Sequence, residues 1–323
     1  MNEVPMWCWV TLFVVILVLL TIDLAVHRHG RASSVMAAIV WSAIWVGAGL
    51  AFNLFVLAAL GAPRASSYLA TYAIEKSLSV DNMFVFLLIF QTLKIPKENQ
   101  HTVLSWGIFG ALLFRALFIG LGAAALERWS FTGYVFGAIL MWAGYRAARQ
   151  DPRKQSESRV VAWLARHLPV TKNGDTNHFL TRENGRRALT PLALALIAIE
   201  LSDILFAIDS VPAALSITRD RFVVYSSNAF AILGLRALYL VVARGISHLR
   251  YLHFGVATVL LFAGFKIVTA DFFEVPPLIS TGIVVVCIGL AVGLSLLADG
   301  RRGFRGGASR RSSRPASAAA RGG

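Results

Sequence analysis

Residues 203–210 read DILFAIDS, and residues 75–82 read EKSLSVDN. Both segments hold two carboxylates six residues apart, and a small polar residue follows the second carboxylate. Both also lie within apolar stretches, where an acidic side chain at the bilayer centre costs about 2.5 to 3.5 kcal/mol on insertion scales. We therefore predict that the two acidic pairs form a site for ions or protons.

Apolar residues dominate the whole chain around these segments. Of its 323 residues, 57% are hydrophobic and 15% are charged, and the mean hydropathy is +0.65, which does not fit a soluble domain. Stretches long enough to cross a hydrocarbon core of ~30 Å recur along the sequence. We predict an all-α polytopic membrane protein with about nine transmembrane helices, at 6–27, 34–60, 66–91, 101–126, 130–149, 189–214, 221–244, 251–271 and 277–298.

The two acidic segments belong to a longer internal repeat. Residues 110–118 (GALLFRALF) match residues 231–239 (AILGLRALY), which aligns Arg115 with Arg236, and residues 142–146 (WAGYR) match residues 262–266 (FAGFK). Helices 3–5 (about 66–149) and helices 6–8 (about 189–271) are thus predicted to be copies of one three-helix unit. Because three is odd, the copies enter the membrane from opposite sides. Such inverted repeats characterise secondary transporters with a substrate site at the repeat interface.

Helical geometry decides which of the acids can share an ion. At 100° per residue, Asp81 and Asp209 point about 120° away from Glu75 and Asp203 if the helices are regular. To converge on one ion, either the backbone unwinds locally or the two aspartates face the other repeat. Pro212 favours unwinding in the second copy, because proline removes a helical hydrogen bond and kinks the helix.

A static bundle would also account for these charges. In that interpretation the acids only neutralise Lys76 and the intramembrane arginines, as buried ion pairs do in many proteins. The two asparagines of the spans more often bridge helices than bind substrate. The predicted supporting residues for intramembrane polar contacts and charge pairing are Asp23, Asn53, Arg115, Asn228, Arg236 and Lys266.

Charges outside the spans predict the orientation. Only Glu3, and no Lys or Arg, is charged before the first stretch, so this stretch is predicted to be a retained anchor with its N-terminus outside. Most loop Lys and Arg lie on the side of the C-terminus, which the positive-inside rule assigns to the cytoplasm. We divide the chain into a transmembrane domain, 1–299, with a cytoplasmic loop at 150–187, and a disordered Arg-rich tail, 300–323.

The net charge of +14 does not indicate nucleic-acid binding. Seven arginines of the tail carry half of it, with Phe304 as the tail's one aromatic residue, so we predict attraction to anionic lipid and no nucleic-acid partner. Cys8 and Cys287 form no CxxC motif, and the seven histidines lie in loops or at helix ends. A soft-metal site is therefore not expected, and no tightly bound cofactor is predicted.

The long motifs resemble a known family. Residues 190–213, 225–239 and 75–82 closely resemble the TerC family, especially its Alx-like branch, and the resemblance covers nearly all of the nine predicted helices. It implies a bacterial inner-membrane protein of the LysE-like transporter group that serves metal homeostasis, with manganese export as the best-defined activity and tellurium resistance as an older label. Carried over residue by residue, it implies a metal site of Glu75, Asp81, Glu200, Asp203 and Asp209, with Asn82 and Ser210 beside them.

The predicted function is transport of a divalent cation between helices 3 and 6. Oxygen ligands suit Mn²⁺, Mg²⁺ and Ca²⁺ alike, so the choice of Mn²⁺ efflux rests on the resemblance. Proton coupling is expected because no GxxxxGK[ST] motif is present and carboxylates can carry protons. A non-transporting scaffold for envelope stress, tellurite resistance or membrane-protein insertion and metalation is the alternative. An enzyme is not expected, since GxGD and HExxH are absent.

Overall fold

The computed structural model describes residues 4–27, 35–129, 131–149, 159–167, 171, 178–183, 186–243, 251–270, 272 and 275–311. These residues are almost entirely helical, as the apolar composition predicts, because a helix satisfies its backbone polar groups internally. The elements in chain order are α1 (Met6–His27), α2 (Val35–Leu60), α3 (Ala62–Thr92), α4 (Lys97–Arg128), α5 (Phe131–Arg149), α6 (Arg159–His167), β1 (Leu180–Glu183), β2 (Arg186–Leu189), α7 (Pro191–Ile217), α8 (Arg221–Ile232), α9 (Leu235–Ala243), α10 (Leu252–Val268) and α11 (Pro277–Arg311).

Each predicted apolar stretch coincides with one of these helices or with the pair α8 and α9. Five helices, α1, α2, α4, α7 and α11, contain a segment long and apolar enough to cross a membrane, and the bent pair α8–α9 makes a sixth. The α10 helix is apolar but shorter, with 17 residues. The chain is therefore an all-α polytopic membrane protein, and the number nine stays a prediction.

The last helices of the two predicted copies, α5 and α10, pack against each other through two related close contacts. A Cβ on Gly144 of α5 would lie 2.9 Å from the carbonyl oxygen of Ala257 on α10. A Cβ on Gly264 of α10 would lie 2.9 Å from the carbonyl oxygen of Gly137 on α5. The offset of the repeat relates Gly144 to Gly264 and Gly137 to Ala257, so one close contact is made twice. Only glycine permits this approach of the two backbones.

The first helices of the two predicted copies, α3 and α7, run in opposite directions. Gly107 lies beside Ile199 near the starts of α4 and α7, and Gly122 lies beside Leu215 near their ends, so these two helices are parallel. The α3 helix precedes α4 and begins where α7 ends, because the Nε of Arg64 donates to Asp220 at 2.7 Å. Consequently α3 and α7 are antiparallel.

The expected unwinding at Pro212 is wrong. The α7 helix is continuous from Pro191 to Ile217, and its residues 210–217 are all buried, so packing holds the turn that lacks one hydrogen bond. The break lies instead between α8 and α9, which meet at 43°. Gly234 takes a φ of +83° there, and a Cβ on it would overlap the base of the Trp45 side chain.

The predicted loop and tail contain regular structure. Within 150–187, Val161 and Leu164 of α6 are buried against the helix bundle, and β1 begins an antiparallel hairpin with β2. Thr190 follows the hairpin and caps α7 by accepting from the N–H of Ala193. The α11 helix continues to Arg311, into the segment predicted to be disordered, and residues 312–323 lie outside the described residues.

Candidate functional site

A cluster of buried charges surrounds Arg115, which is 2% exposed. Its Nη1 donates to the Glu75 carboxylate and, at 2.5 Å, to Oδ1 of Asn228. Its Nη2 and Nε donate to Asp203 at 3.2 and 3.4 Å. The Nδ2 of Asn228 in turn donates to Oε1 of Glu75 at 2.8 Å. Four helices, α3, α4, α7 and α8, thus contribute one residue each to what we call the Arg115 cluster.

Local hydrogen bonds explain why the carboxylates are available to Arg115. The hydroxyl of Ser79 donates to the carbonyl oxygen of Glu75, and that of Ser202 to the carbonyl oxygen of Ala198, both at 2.7 Å. These serines bond along their own helices, as serine does in apolar segments. The acids are therefore left to pair across the helix interface.

The charges of the Arg115 cluster do not cancel. With both carboxylates ionised, Glu75 and Asp203 carry two negative charges against the single positive charge of Arg115. Removing one partner from a buried ion pair typically costs about 3–5 kcal/mol, because the other charge is then uncompensated. The two acids of the cluster therefore require a cation, and Arg115 supplies it.

Glu200 lies one turn before Asp203 and is packed against Gly110 of α4, where a Cβ would overlap its carboxylate. Its Oε2 is buried without a hydrogen bond among the described residues. The buried hydroxyl of Ser210 likewise has no partner in that part of the chain. Glu200, Asp203 and Ser210 share one face of α7 by their spacing, so α7 presents further oxygens beyond those bound to Arg115.

The other predicted ligands lie outside the Arg115 cluster. Asn82 is buried, and Asp209 is half-buried within range of the charges of Arg146, Glu75 and Arg115. Asp81 belongs to α3, and its side chain falls outside the described part of the structure. Among the residues described, no group of three or more His, Cys, Asp or Glu side chains is arranged to hold a metal ion. The complete metal site therefore stays a prediction.

The predicted supporting residues divide between two places. Arg115 and Asn228 belong to the Arg115 cluster, whereas Arg236 donates to Asp23 of α1 at 2.9 Å. The two arginines that match in the repeat thus have different partners, because the bend before α9 directs Arg236 towards α1. Asn53 of α2 has a buried Oδ1 without a hydrogen bond within the described chain, and Lys266 is half-buried in the last turn of α10.

Lys76 has a role that the sequence analysis missed. Its Nζ donates to the carbonyl oxygen of Ala231 at 3.2 Å, in the last turn of α8, where the break leaves carbonyls without helical donors. A cation at a helix C-terminus is also favoured by the helix dipole. The sequence contained a signal for the helix break, because Gly234 occupies the position of Leu113 in the aligned repeat, and glycine commonly ends a helix.

The Arg115 cluster has the oxygen acceptors of a cation-binding site. Its acceptors are carboxylate and amide oxygens, which hard divalent cations prefer to nitrogen or sulfur ligands. They come from three helices, so a shift of one helix would change the number of oxygens around the bound group. Such an arrangement can bind positive charge in one conformation and release it in another.

Comparison with known proteins places these features in a family. The model of the integral membrane protein TerC family matches residues 60–302. An uncharacterised membrane protein of Myxococcus xanthus, STKORF319, is 40% identical over 90% of this chain and 92% of its own length.

Two further relatives have more descriptive names. Alx of Escherichia coli (strain K12), named as a proposed membrane-bound redox modulator, is 38% identical over 85% of this chain and 90% of its own length. The thylakoid membrane protein TERC of Arabidopsis thaliana is 40% identical over 79% of this chain and 67% of its own length. No solved structure matches the chain.

Proposed function

This chain belongs to the TerC family of integral membrane proteins, and on that premise we propose that it transports divalent metal cations. The observation that carries the proposal is the Arg115 cluster, in which Glu75 and Asp203, from matching positions of the two copies, meet around one positive charge. Charged groups within membrane spans are costly and usually mark ion or proton pathways. A divalent cation is the substrate that a surplus of carboxylate oxygens favours.

The antiparallel course of α3 and α7 supports an inverted repeat. Two copies that enter the membrane from opposite faces form a site at their interface, near the midplane, which each face can reach in turn. Glu200, one turn before Asp203 on α7, would supply a further oxygen ligand next to the Arg115 cluster. Asp81, Asn82, Asp209 and Ser210 lie about two helical turns from Glu75 or Asp203, so we propose that they bind the ion at other positions along its path. We propose Mn²⁺ as the substrate within the class of hard cations, with export as the direction and protons as the coupling ion.

The membrane and orientation follow from the same proposal. The bacterial relatives are membrane proteins by name, and we propose the cytoplasmic membrane, with the N-terminus outside and the C-terminus inside. The redox role in the name of the E. coli relative has no thiol pair to support it, because the chain's two cysteines, Cys8 and Cys287, are free. We propose that any redox effect is indirect and that the protein is a transporter, not an enzyme.

A scaffold without transport activity is the second candidate, and the pairing of Glu75 and Asp203 with Arg115 favours it. Buried ion pairs can hold helices together without any ligand. In such a protein the acids outside the Arg115 cluster would have no role in ion movement. Asp209 therefore separates the two candidates, because it is not one of the acids that pair with Arg115 or Arg236.

The test uses Asp209→Asn in cells that overproduce the protein and have been loaded with Mn²⁺. The amide keeps the size of the side chain and removes a charge, so folding should be retained, while the rate of manganese loss should fall roughly ten-fold or more, as when a metal ligand is weakened. Asp81→Asn should behave alike. Glu127→Gln is the matched control, because Glu127 pairs with Arg221 at the exposed surface, and it should export at the wild-type rate. Wild-type loss of manganese in well-folded Asp209→Asn cells would favour the scaffold.

A further inference from the structure

We propose that Arg115 is the resident occupant of the cation site, and that the transported divalent cation takes the place of its guanidinium between Glu75 and Asp203. This inference rests on the proposed transport function. In the transport cycle, Arg115 is an internal cation that occupies the site between Glu75 and Asp203 whenever the substrate is absent.

The bonds around Arg115 are those of a cation-binding site. The guanidinium donates hydrogen bonds to oxygens of Glu75, Asp203 and Asn228, and each acceptor lies on a different helix. Arg115 and Glu75 are almost fully buried, so protein atoms and not water surround the guanidinium. The carboxylates and the amide carbonyl are also the oxygen types that bind hard divalent cations.

An unused oxygen next to the cluster points to a second occupant. The Oε2 of Glu200 is buried without a partner among the described residues, and Glu200 lies one turn before Asp203 on the same face of α7. Buried polar atoms are rarely left unbonded. A guanidinium held by Asp203 does not use this oxygen, whereas a divalent ion with six or more oxygen ligands can recruit it.

Charge balance gives a reason for the exchange. With Arg115 in place the two ionised acids keep one excess negative charge, and with a divalent cation in its place they are neutral. The displaced guanidinium keeps its own charge, and Asp209, which lies within range of that charge, is the acid that can compensate it. Two buried acids without a cation would be costly in a membrane. Arg115 therefore lets the empty protein move between its two faces without leaving both acids bare.

The matching arginine provides an internal control. Arg236 occupies the position of Arg115 in the second copy, is similarly buried and pairs with an acid, Asp23. That pair lies outside the Arg115 cluster and joins α9 to α1. Replacing Arg236 removes a buried arginine of the same kind without changing the charge of the cation site.

The experiment measures Mn²⁺ binding to the purified full-length protein in nanodiscs, by calorimetry and by the shift of Tm with MnCl2. Arg115→Gln should lower Tm without metal and bind Mn²⁺ roughly ten-fold tighter or more, because a neighbouring cation changes the affinity of a carboxylate for another cation by that order. Its Mn²⁺-induced shift of Tm should exceed that of the wild type, and its export should be slower. Arg236→Gln should lower Tm but keep the wild-type affinity for Mn²⁺.

Arg115→Lys protects the test against misfolding of Arg115→Gln. Lysine keeps the charge but is a compact point charge that cannot hold both acids with a planar fork, so Mn²⁺ should displace it more easily and bind several-fold tighter than in the wild type. Wild-type or weaker affinity in Arg115→Lys, or tighter binding in Arg236→Gln as well, would overturn the exchange while leaving metal transport intact. Absence of Mn²⁺ binding in all four proteins would overturn both the exchange and the transport function.

Discussion

At the scale of single residues, the position of one carboxylate depends on the absence of a side chain opposite it. Gly110 of α4 leaves the space that the Glu200 carboxylate fills. Gly110 lies about 140° around the helix axis from Arg115. A glycine in a helix interior costs about 0.5–1 kcal/mol relative to alanine, so its presence in α4 needs a reason. The reason offered by the structure is room for Glu200.

Gly110→Ala should therefore impair Mn²⁺ export while leaving Tm nearly unchanged. The new methyl group overlaps the carboxylate of Glu200, which is the end of a flexible side chain and can move away. Gly120→Ala in the same helix is the control, because a Cβ there meets nothing within 4 Å. It should leave export as in the wild type and should not lower Tm, since alanine is favoured over glycine within a helix. Full export by Gly110→Ala would mean that the position of Glu200 has no part in transport.

At the scale of elements, the break between α8 and α9 distinguishes the second predicted copy from the first. The α4 helix runs unbroken through the matching residues, whereas α8 ends at Ile232 and receives Lys76 on its Ala231 carbonyl. The bend carries Arg236 to Asp23 on α1. The bend thus gives the two similar arginines different partners. Arg115 belongs to the Arg115 cluster, and Arg236 forms a separate ion pair with Asp23.

Gly234→Ala is expected to lower the free energy of unfolding by about 1–3 kcal/mol. A left-handed backbone costs a residue with a Cβ about 1–2 kcal/mol, and overlap with the base of the Trp45 side chain adds a packing term. Thermal unfolding in detergent would measure the change. Gly282→Ala in α11, where a Cβ meets nothing within 4 Å, should not lower Tm, because alanine is favoured over glycine within a helix. Equal Tm values for the two variants would show that the fold does not require glycine at position 234.

At the scale of the whole molecule, contacts occur in exchanged pairs. The α5 and α10 helices pack through Gly144 on Ala257 and Gly264 on Gly137, and α3 and α7 bring Glu75 and Asp203 to the same guanidinium. Opposite directions of α3 and α7 make this exchange compatible with a two-fold axis in the membrane plane, as in transporters with inverted repeats.

Single cysteines at Glu98 and Arg219 should label from opposite faces of the membrane. Glu98 lies in the first turn of α4 and Arg219 follows α7, and both side chains are exposed. In a chain whose two native cysteines are replaced, an impermeant maleimide added to intact cells should modify Arg219→Cys and, as a control on the same face, Glu127→Cys. Glu98→Cys should react only after the cells are opened. Labelling of Glu98→Cys and Arg219→Cys from the same side would contradict the inverted repeat.

The sequence alone determined the class of protein, the approximate positions of its helices and the candidate residues among which the members of the charge cluster are found. Apolar stretches are a property of consecutive residues, so the start and end of α1, α2 and α5 lie within a few residues of the prediction. The repeat likewise identified Arg115 and the acids as a set before their contacts were known. These features are local or are recognised by comparing one part of the chain with another.

Only the tertiary structure decided which charges meet. Glu75, Asp203 and Asn228 lie 40, 88 and 113 residues from Arg115 along the chain, and no local rule predicts that one guanidinium would bind all three. Nor does a local rule separate Pro212, which α7 accommodates, from Gly234, where the next span bends. At Pro212 packing against other helices outweighs the intrinsic preference of the residue, because burial of a whole helix face stabilises more than one backbone hydrogen bond. At Gly234 the bend agrees with the preference of glycine, and the neighbouring Trp45 leaves no room for a Cβ.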